Sequence, residues 1–306
     1  MNRLEILDWV RLHYGGRARP FDEALAEQVA ALSSATGEGP FLVDYFEAAV
    51  NSADRFGRVK LVHVAKFEEN ASPRRKKDLA RRRREDIRGL FARAPGFDAA
   101  PLERMYDAIC GAGLEDFYPV ASVEWDVASR RFEEVSLYCD ERAAELARAL
   151  AGGENIDTAG LFAVGYDFRP GKPSRFKLYV ERSSLGRNPS AKPFLALPKA
   201  YLPGDYLVLR RRSDGGRFEE TRKVYLSYLQ RKSAAEACTV AALAAACAPG
   251  PLKLFLDGIR ESARGQYLDY IGCEDGKFEA YFGKPAWGFV ELGPLAGTGD
   301  RPGDLP

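Results

Sequence analysis

The sequence is most informative over residues 160–181, which read GLFAVGYDFRPGKPSRFKLYVE. Two runs in which apolar and polar residues alternate, 160–168 and 174–181, flank the turn sequence RPGKP. Alternation with a period of two is typical of a half-buried β-strand, and Gly and Pro favour a turn between two strands. The segment therefore predicts a β-hairpin. The polar face of its second strand carries Arg175, Lys177 and Tyr179.

The same hairpin pattern occurs five times along the chain. The other four hairpins are expected over 41–51 with 57–67, 118–127 with 131–140, 205–212 with 221–229, and 266–273 with 277–283. Helical periodicity lies between and around them, over 22–35, 74–92, 101–112, 141–151, 233–247 and 251–263. Hairpins make neighbouring strands antiparallel, so this order does not fit a doubly wound fold. We expect an α+β protein in which ten antiparallel strands close into a barrel with the helices outside, since closure removes both sheet edges.

Length and composition are those of a globular protein. The 306 residues include 46% hydrophobic residues, and 45 Lys and Arg face 44 Asp and Glu. We expect one domain over residues 1–292 and a disordered tail over 293–306. The chain has no apolar stretch long enough to cross a bilayer and no signal-peptide pattern, and its five cysteines form no CxxC pair. We therefore expect a cytoplasmic protein with reduced thiols and no membrane partner.

Polar residues on the second strands would line the interior of such a barrel, which is too wide for side chains alone to fill. Five of them are cations: Arg58, Lys60, Lys177, Lys223 and Lys277. Four are tyrosines: Tyr138, Tyr179, Tyr225 and Tyr281. Clustered cations suit a diphosphate through charge-assisted hydrogen bonds, and aromatic faces attract a cation. The pattern indicates a site that ionises an allylic diphosphate and shields the carbocation from water. The alternative is a solvated outer face with aromatic cross-strand packing.

These hairpins resemble the ABBA-barrel prenyltransferases, through RFKLY at 175–179 and KVY at 223–225. That family includes the dimethylallyltryptophan synthases and the cyanobactin peptide prenyltransferases. The likeness is closer to the cyanobactin branch, whose first hairpin is similar to FEAA at 46–49 followed by RVKL at 58–61. The GYDF segment at 165–168 also matches that branch. The resemblance covers nearly the whole chain and implies the ABBA fold.

The resemblance implies a role for each matching residue. Glu47 matches the acidic residue that accepts the proton lost by the acceptor. Diphosphate ligands are implied at Arg58, Lys60, Lys177, Lys223 and Lys277. A carbocation shield is implied at Tyr138, Tyr179, Tyr225 and Tyr281. The chain departs from the family pattern at Ser136 and Glu279, which stand where relatives often carry a cation. Both departures weaken the set of diphosphate ligands and put the role of Lys277 in doubt.

The activity implied is transfer of a C5 dimethylallyl or C10 geranyl group from an allylic diphosphate. The acceptor implied is a nucleophilic side chain of a peptide, either cyclic or a precursor peptide. A small aromatic acceptor is the alternative within the enzyme class. The sequence has no DDxxD or NDxxD motif, so no metal-binding residues are predicted, and assistance by Mg²⁺ is left open.

A non-catalytic function is the alternative from another class. Residues 74–93 are strongly basic, and RRR at 210–212 forms a second basic cluster. A basic barrel could bind nucleic acid or an acidic partner, although a basic stripe alone is weak evidence for either. We expect the run at 74–93 to be a solvated helix face, and we expect no nucleic-acid partner.

Overall fold

The computed structural model describes ten segments of more than three residues and a few shorter ones. They are residues 45–51, 58–63, 72–93, 96–117, 119–126, 131–184, 186, 188–198, 206–213, 216–227, 248, 250, 252–254, 256 and 267–285. The helices expected over 22–35 and 233–247 lie outside the described residues, as does the tail expected over 293–306. Of the helix expected over 251–263, residues 252–254 and 256 are described and helical.

Ten antiparallel strands form one sheet, and each lies where alternation predicted it. In chain order they are β1 (Tyr45–Asn51), β2 (Arg58–His63), β3 (Val120–Asp126), β4 (Arg131–Cys139), β5 (Leu161–Arg169), β6 (Lys172–Arg182), β7 (Tyr206–Ser213), β8 (Glu219–Ser227), β9 (Tyr267–Glu274) and β10 (Lys277–Pro285). The order across the sheet is β1-β10-β9-β8-β7-β6-β5-β4-β3-β2. The strands at the two ends of this order, β1 and β2, also contact each other, so the sheet curls back on itself.

Helices cover the apolar side of the sheet. The longer ones are α1 (Pro73–Arg93), α2 (Ala100–Gly111) and α3 (Ala143–Leu150). Ile87 and Phe91 of α1 are buried, and the Phe91 ring packs edge-on against Phe168 of β5 with centroids 4.9 Å apart. Outward-facing residues such as Leu178 of β6 are fully buried as well. Because side chains alternate along a strand, this packing leaves the other face of each strand for the interior.

The start of α3 differs from the sequence-based prediction. We expected a helix over 141–151, but it begins at Ala143. The residue before it, Arg142, has a left-handed φ of 53° and no capping side chain. Its guanidinium instead bonds Glu145 and, at 2.9 Å, Asp116. These ion pairs hold Arg142 in the position where a small polar N-cap residue is usual.

The expectation of a solvated basic helix over 74–93 is wrong for one face of α1. Arg83 is buried, and its Nε donates to the backbone oxygen of Pro119 at 3.1 Å. The Arg84 guanidinium lies 5.0 Å from the ring centroid of Tyr106, and Arg88 pairs with Glu103. The helix therefore uses these cations to pack against α2 and the strand that follows it.

Candidate active site

Five tyrosine rings form a continuous series on the inner side of the sheet. The ring centroids of Tyr138 and Tyr179 are 6.0 Å apart, those of Tyr179 and Tyr225 are 6.1 Å apart, and those of Tyr225 and Tyr281 are 6.1 Å apart. Tyr270 lies 6.2 Å from Tyr225 and 6.4 Å from Tyr281. We call these five residues the tyrosine layer. The structure thus brings the four predicted tyrosines together and adds Tyr270, which the sequence-based reasoning missed.

Glycines on the intervening strands allow this close packing. Gly165 lies on β5, between the strands of Tyr138 and Tyr179, and a Cβ there would be 3.1 Å from Tyr138 Cδ1 and 3.2 Å from Tyr179 Cε2. Gly272 lies on β9 opposite Tyr225, and a Cβ there would be 3.3 Å from that ring. The rings therefore lean across positions that a larger side chain would occupy.

Apolar side chains pack against the tyrosine layer. Leu207 and Leu209 of β7 cluster with Tyr225, and Phe162 packs against the same cluster. Burial raises the pKa of both Tyr179 and Tyr225, so their phenol groups stay neutral. Neutral aromatic faces in an apolar setting are suited to stabilise a cationic group and to exclude water.

Charged side chains lie two residues away from the tyrosines, on the same faces of β6 and β8. Lys177 and Lys223 each precede a tyrosine of the layer by two residues, so each shares that tyrosine's face of the sheet. The Nζ atom of Lys177 lies 5.7 Å from the ring centroid of Tyr138, and that of Lys223 lies 5.2 Å from the centroid of Tyr225. Both predicted lysines therefore lie next to the aromatic faces, Lys177 buried and Lys223 partly buried.

Each of these lysines has a carboxylate partner. Lys177 Nζ lies 2.6 Å from Asp167 Oδ2, and Lys223 Nζ lies 2.6 Å from Glu279 Oε2. Tyr281 also donates to Glu279 Oε2, at 2.7 Å. Burial alone would lower the pKa of both lysines, but their polar partners outweigh it: the Asp167 carboxylate raises the pKa of Lys177, and the Tyr225 hydroxyl and the Glu279 carboxylate raise the pKa of Lys223. Both lysines are therefore charged at neutral pH.

Asp167 is the centre of a buried network. Its side chain is fully buried, and its Oδ2 lies 2.9 Å from Arg175 Nη2 in addition to the contact with Lys177. Ser136 donates to Asp167 Oδ1 at 2.8 Å, and Arg175 also bonds Glu134 at 2.6 Å. Burial would raise the pKa of Asp167, but Lys177 and Arg175 lower it, so the carboxylate is ionised.

The remaining predicted site residues lie on or near β1, β2 and β10. Side chains of Glu47, Arg58 and Lys60 are outside the described part of the structure, but their backbone register is defined. Glu47 pairs with Gly283, two residues from Tyr281, and therefore shares its face. Lys60 pairs with Glu124, which pairs in turn with Glu134 of the charged network. Arg58 lies two residues before Lys60 on the same face of β2 and pairs with Asp126 of β3.

Lys277 is separated from the other predicted cations. It is the first residue of β10, beside the turn that joins this strand to β9, and its side chain is exposed. It shares a strand face with Glu279, two residues further on. Lys277 therefore lies at the rim of the inner face, whereas Lys177 is buried within it and Lys223 is partly buried.

The sequence-based prediction missed Asp167, and it named Glu279 only as a departure from the family pattern. It examined the polar faces of the second strands, whereas Asp167 lies on the first strand of its hairpin. Alternation with Gly165 was the available signal, because residues two apart share a face. Arg175 was placed on the polar face of its strand but was assigned no role.

Two general features of the described residues bear on function. They contain no group of three or more His, Cys, Asp or Glu side chains placed to hold a metal ion. Among the helices of the described ranges, none combines the length and the apolar character needed to span a bilayer.

Comparison with known proteins identifies the fold. No protein-family model and no curated protein matches the sequence. Among solved structures, 5-dimethylallyltryptophan synthase from Streptomyces coelicolor is similar with a TM-score of 0.51 and 15% identity, over 92% of this chain and 95% of the synthase. The apo form of prenyltransferase PriB is similar with a TM-score of 0.51 and 13% identity, over 93% of this chain and 94% of PriB. The chain shares the ABBA-barrel fold of these two neighbours.

Proposed function

We propose that this chain is a prenyltransferase that cleaves an allylic diphosphate and transfers the prenyl group to a nucleophilic acceptor. The observation that carries the proposal is the position of two charged lysines against the tyrosine layer: Lys177, which is buried, and Lys223, which is partly buried. A diphosphate bound by the lysines would place its prenyl chain among the aromatic rings. The names of both fold neighbours, a dimethylallyltryptophan synthase and a prenyltransferase, support the same activity.

The proposed site extends onto the strands at the two ends of the sheet. We infer that β1 and β2 complete a closed ten-stranded barrel, and their mutual contact supports this. In such a barrel Arg58 and Lys60 join Lys177 and Lys223 as ligands of the diphosphate. Lys277 would contact a diphosphate only at the rim.

The chemistry follows from these positions. The bond between the allylic carbon and oxygen breaks, and its electron pair leaves with the diphosphate. Cations held close to that oxygen stabilise the negative charge that grows in the transition state. The tyrosine faces stabilise the allyl cation, and the acceptor's electron pair attacks it. Glu47 then accepts the proton that the acceptor loses.

Two acceptor classes have support of different kinds. The name of the synthase neighbour supports an electron-rich aromatic ring of the tryptophan type. The resemblance of residues 165–168 and of the first hairpin to the cyanobactin branch supports a side chain within a peptide. A tryptophan residue within a peptide satisfies both. The length of the donor, C5 or C10, is distinguished by which diphosphate stabilises the protein against thermal unfolding.

Magnesium does not fit the described carboxylates. Asp167 and Glu134 are already bonded to Arg175, and Asp167 also pairs with Lys177, so their oxygens serve as partners for cationic side chains. No step is therefore assigned to a metal held by these residues.

A thermal melt with dimethylallyl or geranyl diphosphate, each with and without Mg²⁺, tests donor binding. A ligand at a hundred times its Kd adds about 2.7 kcal/mol to the stability of the folded state. At roughly 2–4 °C per kcal/mol this gives a clear shift in Tm. Lys177→Ala should abolish the shift, whereas Lys172→Ala, an exposed lysine on the same strand, should preserve it.

Product analysis tests the transfer itself. The donor that shifts the melt is incubated with free tryptophan and, separately, with a linear and a cyclic peptide that contain tryptophan, and mass spectrometry detects the added prenyl group. Glu47→Gln should bind the donor and lose turnover. The absence of any shift with either donor in a folded protein would overturn the proposal and favour the non-catalytic binding function.

A further inference from the structure

The two cations of β6 share one carboxylate oxygen. Lys177 Nζ lies 2.6 Å and Arg175 Nη2 lies 2.9 Å from Asp167 Oδ2, and the Asp167 side chain is fully buried. An ammonium group has three N–H donors and a guanidinium has five, so one carboxylate uses only part of their capacity. Asp167 therefore gathers the two cationic groups at one point and leaves both able to donate to a second anion.

Burial makes this carboxylate necessary. Lys177 is almost completely buried, and removal from water disfavours the charged form of an amine. Its backbone neighbour on β7 is Arg211, and Arg175 lies two residues away on its own strand; both would repel its charge. On β4 it faces Glu134, whose Oε1 is 4.0 Å away, and Tyr138; Tyr225 of β8 lies nearby.

We propose that Asp167 is the positioning residue of the donor site, holding Lys177 charged and beside Arg175 before the diphosphate arrives. This inference rests on the proposed function, since it assigns Lys177 to the donor. Asp167 itself acts through Lys177 and Arg175. Ser136, which donates to the other carboxylate oxygen at 2.8 Å, fixes the orientation of the Asp167 side chain.

Removal of this one charge should make anion binding depend on pH. In Asp167→Asn the amide keeps a similar shape and can accept from Ser136, but Lys177 loses its closest negative partner. Burial then lowers the pKa of Lys177, and the neutral amine that forms as pH rises cannot bind an anion electrostatically. In the wild type the Asp167 charge keeps Lys177 protonated from pH 7 to pH 9.

Isothermal titration with inorganic pyrophosphate at pH 7 and at pH 9 tests the inference without any turnover. The ionisation of pyrophosphate itself is common to all variants, so each is compared with the wild type at the same pH. We expect Asp167→Asn to lose about tenfold more affinity than the wild type between the two pH values, because a buried amine without its carboxylate partner loses its proton as pH rises. Asp275 is an exposed carboxylate on the turn after β9 and pairs with Arg222 of β8, so Asp275→Asn should match the wild type.

A double variant identifies the titrating group. Arginine is not deprotonated in this range, so Asp167→Asn with Lys177→Arg should bind pyrophosphate equally at pH 7 and pH 9, relative to the wild type. Equal weakening of Asp167→Asn at both pH values would show a merely structural role and overturn the inference. If that variant does not fold, Glu134→Gln, which removes the more distant carboxylate and leaves Asp167 in place, should bind pyrophosphate with the pH dependence of the wild type. An extra loss of affinity at pH 9 in Glu134→Gln would show that Asp167 does not hold the charge of Lys177, and would overturn the inference. Failure of the wild type to bind pyrophosphate would instead refute the proposed function.

Discussion

Replacement of Gly165 by alanine tests the close packing of the tyrosine layer. The new Cβ would be 3.1 Å from Tyr138 Cδ1, 3.2 Å from Tyr179 Cε2 and 3.3 Å from Tyr138 Cε1. Each contact is shorter than the 3.5–4.0 Å at which carbon atoms attract each other, so both rings must move by a few tenths of an ångström. The rings lie on β4 and β6, the strands on either side of β5 and Gly165. Neither ring can therefore move without disturbing its contacts within the tyrosine layer.

The expected cost of Gly165→Ala is about 1–3 kcal/mol of unfolding free energy, the usual range for an added methyl group in a packed interior. For a chain of this size that corresponds to a fall in Tm of roughly 2–4 °C per kcal/mol. Urea denaturation gives the free energy, and near-ultraviolet circular dichroism reports the altered tyrosine environment. Gly111→Ala is the matched control: Gly111 ends α2, and its Cβ would contact nothing within 4 Å. It should be neutral or stabilising by up to about 1 kcal/mol. Equal stabilities and equal spectra for the two variants would refute this account of the tyrosine layer.

Three further predictions concern α1, the thiols and acid stability. Ile87→Ala should cost about 2–5 kcal/mol in urea denaturation because Ile87 is only 1% exposed, whereas Arg82→Gln on the exposed face should stay within about 0.5 kcal/mol. Burial raises the pKa of Cys139 to about 12 and that of Cys273 to about 11, so both thiols should react with a disulfide reagent at pH 8 only after unfolding; rapid reaction in the native protein would contradict their burial. The pKa of Asp167 is lowered in the folded state, so the stability that it contributes is present above its unfolded pKa and is lost as pH falls below about 4. Urea denaturation of Asp167→Asn should therefore lose less stability between pH 6 and pH 3 than the wild type, and identical losses would contradict the assignment.

The strands could be predicted because each carries its own signal. Half-buried strands alternate between two environments, and the turn residues between 160–168 and 174–181 mark where the chain reverses. The pattern of one strand also reveals its two faces, which is why Lys177 and Tyr179 were placed together on the inner side. These features depend on residues within a few positions of one another.

The ion pairs could not be predicted in the same way because they depend on register between strands. Asp167 meets Lys177 only because Gly165 pairs with Lys177 across β5 and β6, and a slip of one residue would turn Asp167 to the opposite face. The burial of Arg83 is a similar case, since it depends on how α1 docks against Pro119. Composition favoured a solvated helix, and tertiary packing overrode that preference.

The paired interior changes how the site should be understood. The sequence-based interpretation was a cluster of cations that suits a diphosphate. In the described part of the structure Lys177, Arg175 and Lys223 instead have carboxylate partners, Asp167, Glu134 and Glu279. A buried charge without a partner is costly, so these carboxylates make the ligand-free protein stable. In the site that we propose, a diphosphate would share the cations with these carboxylates, and its affinity would depend on how many N–H donors the carboxylates leave unused.

The burial and pairing of the cations also distinguish the proposed enzyme from the nucleic-acid-binding alternative. A nucleic acid contacts exposed cations, and each phosphate neutralised on duplex DNA contributes about 0.9 to the slope of log K against log salt concentration. On α1, Arg83 is buried, Arg84 lies against Tyr106, and Arg88 is paired with Glu103, so these three have little to offer a phosphate backbone. Binding of duplex DNA should therefore be weak, and a combined Arg81→Gln and Arg82→Gln variant should leave pyrophosphate affinity unchanged. Tight DNA binding with a steep salt slope that this variant abolishes would reverse the preference for the enzyme.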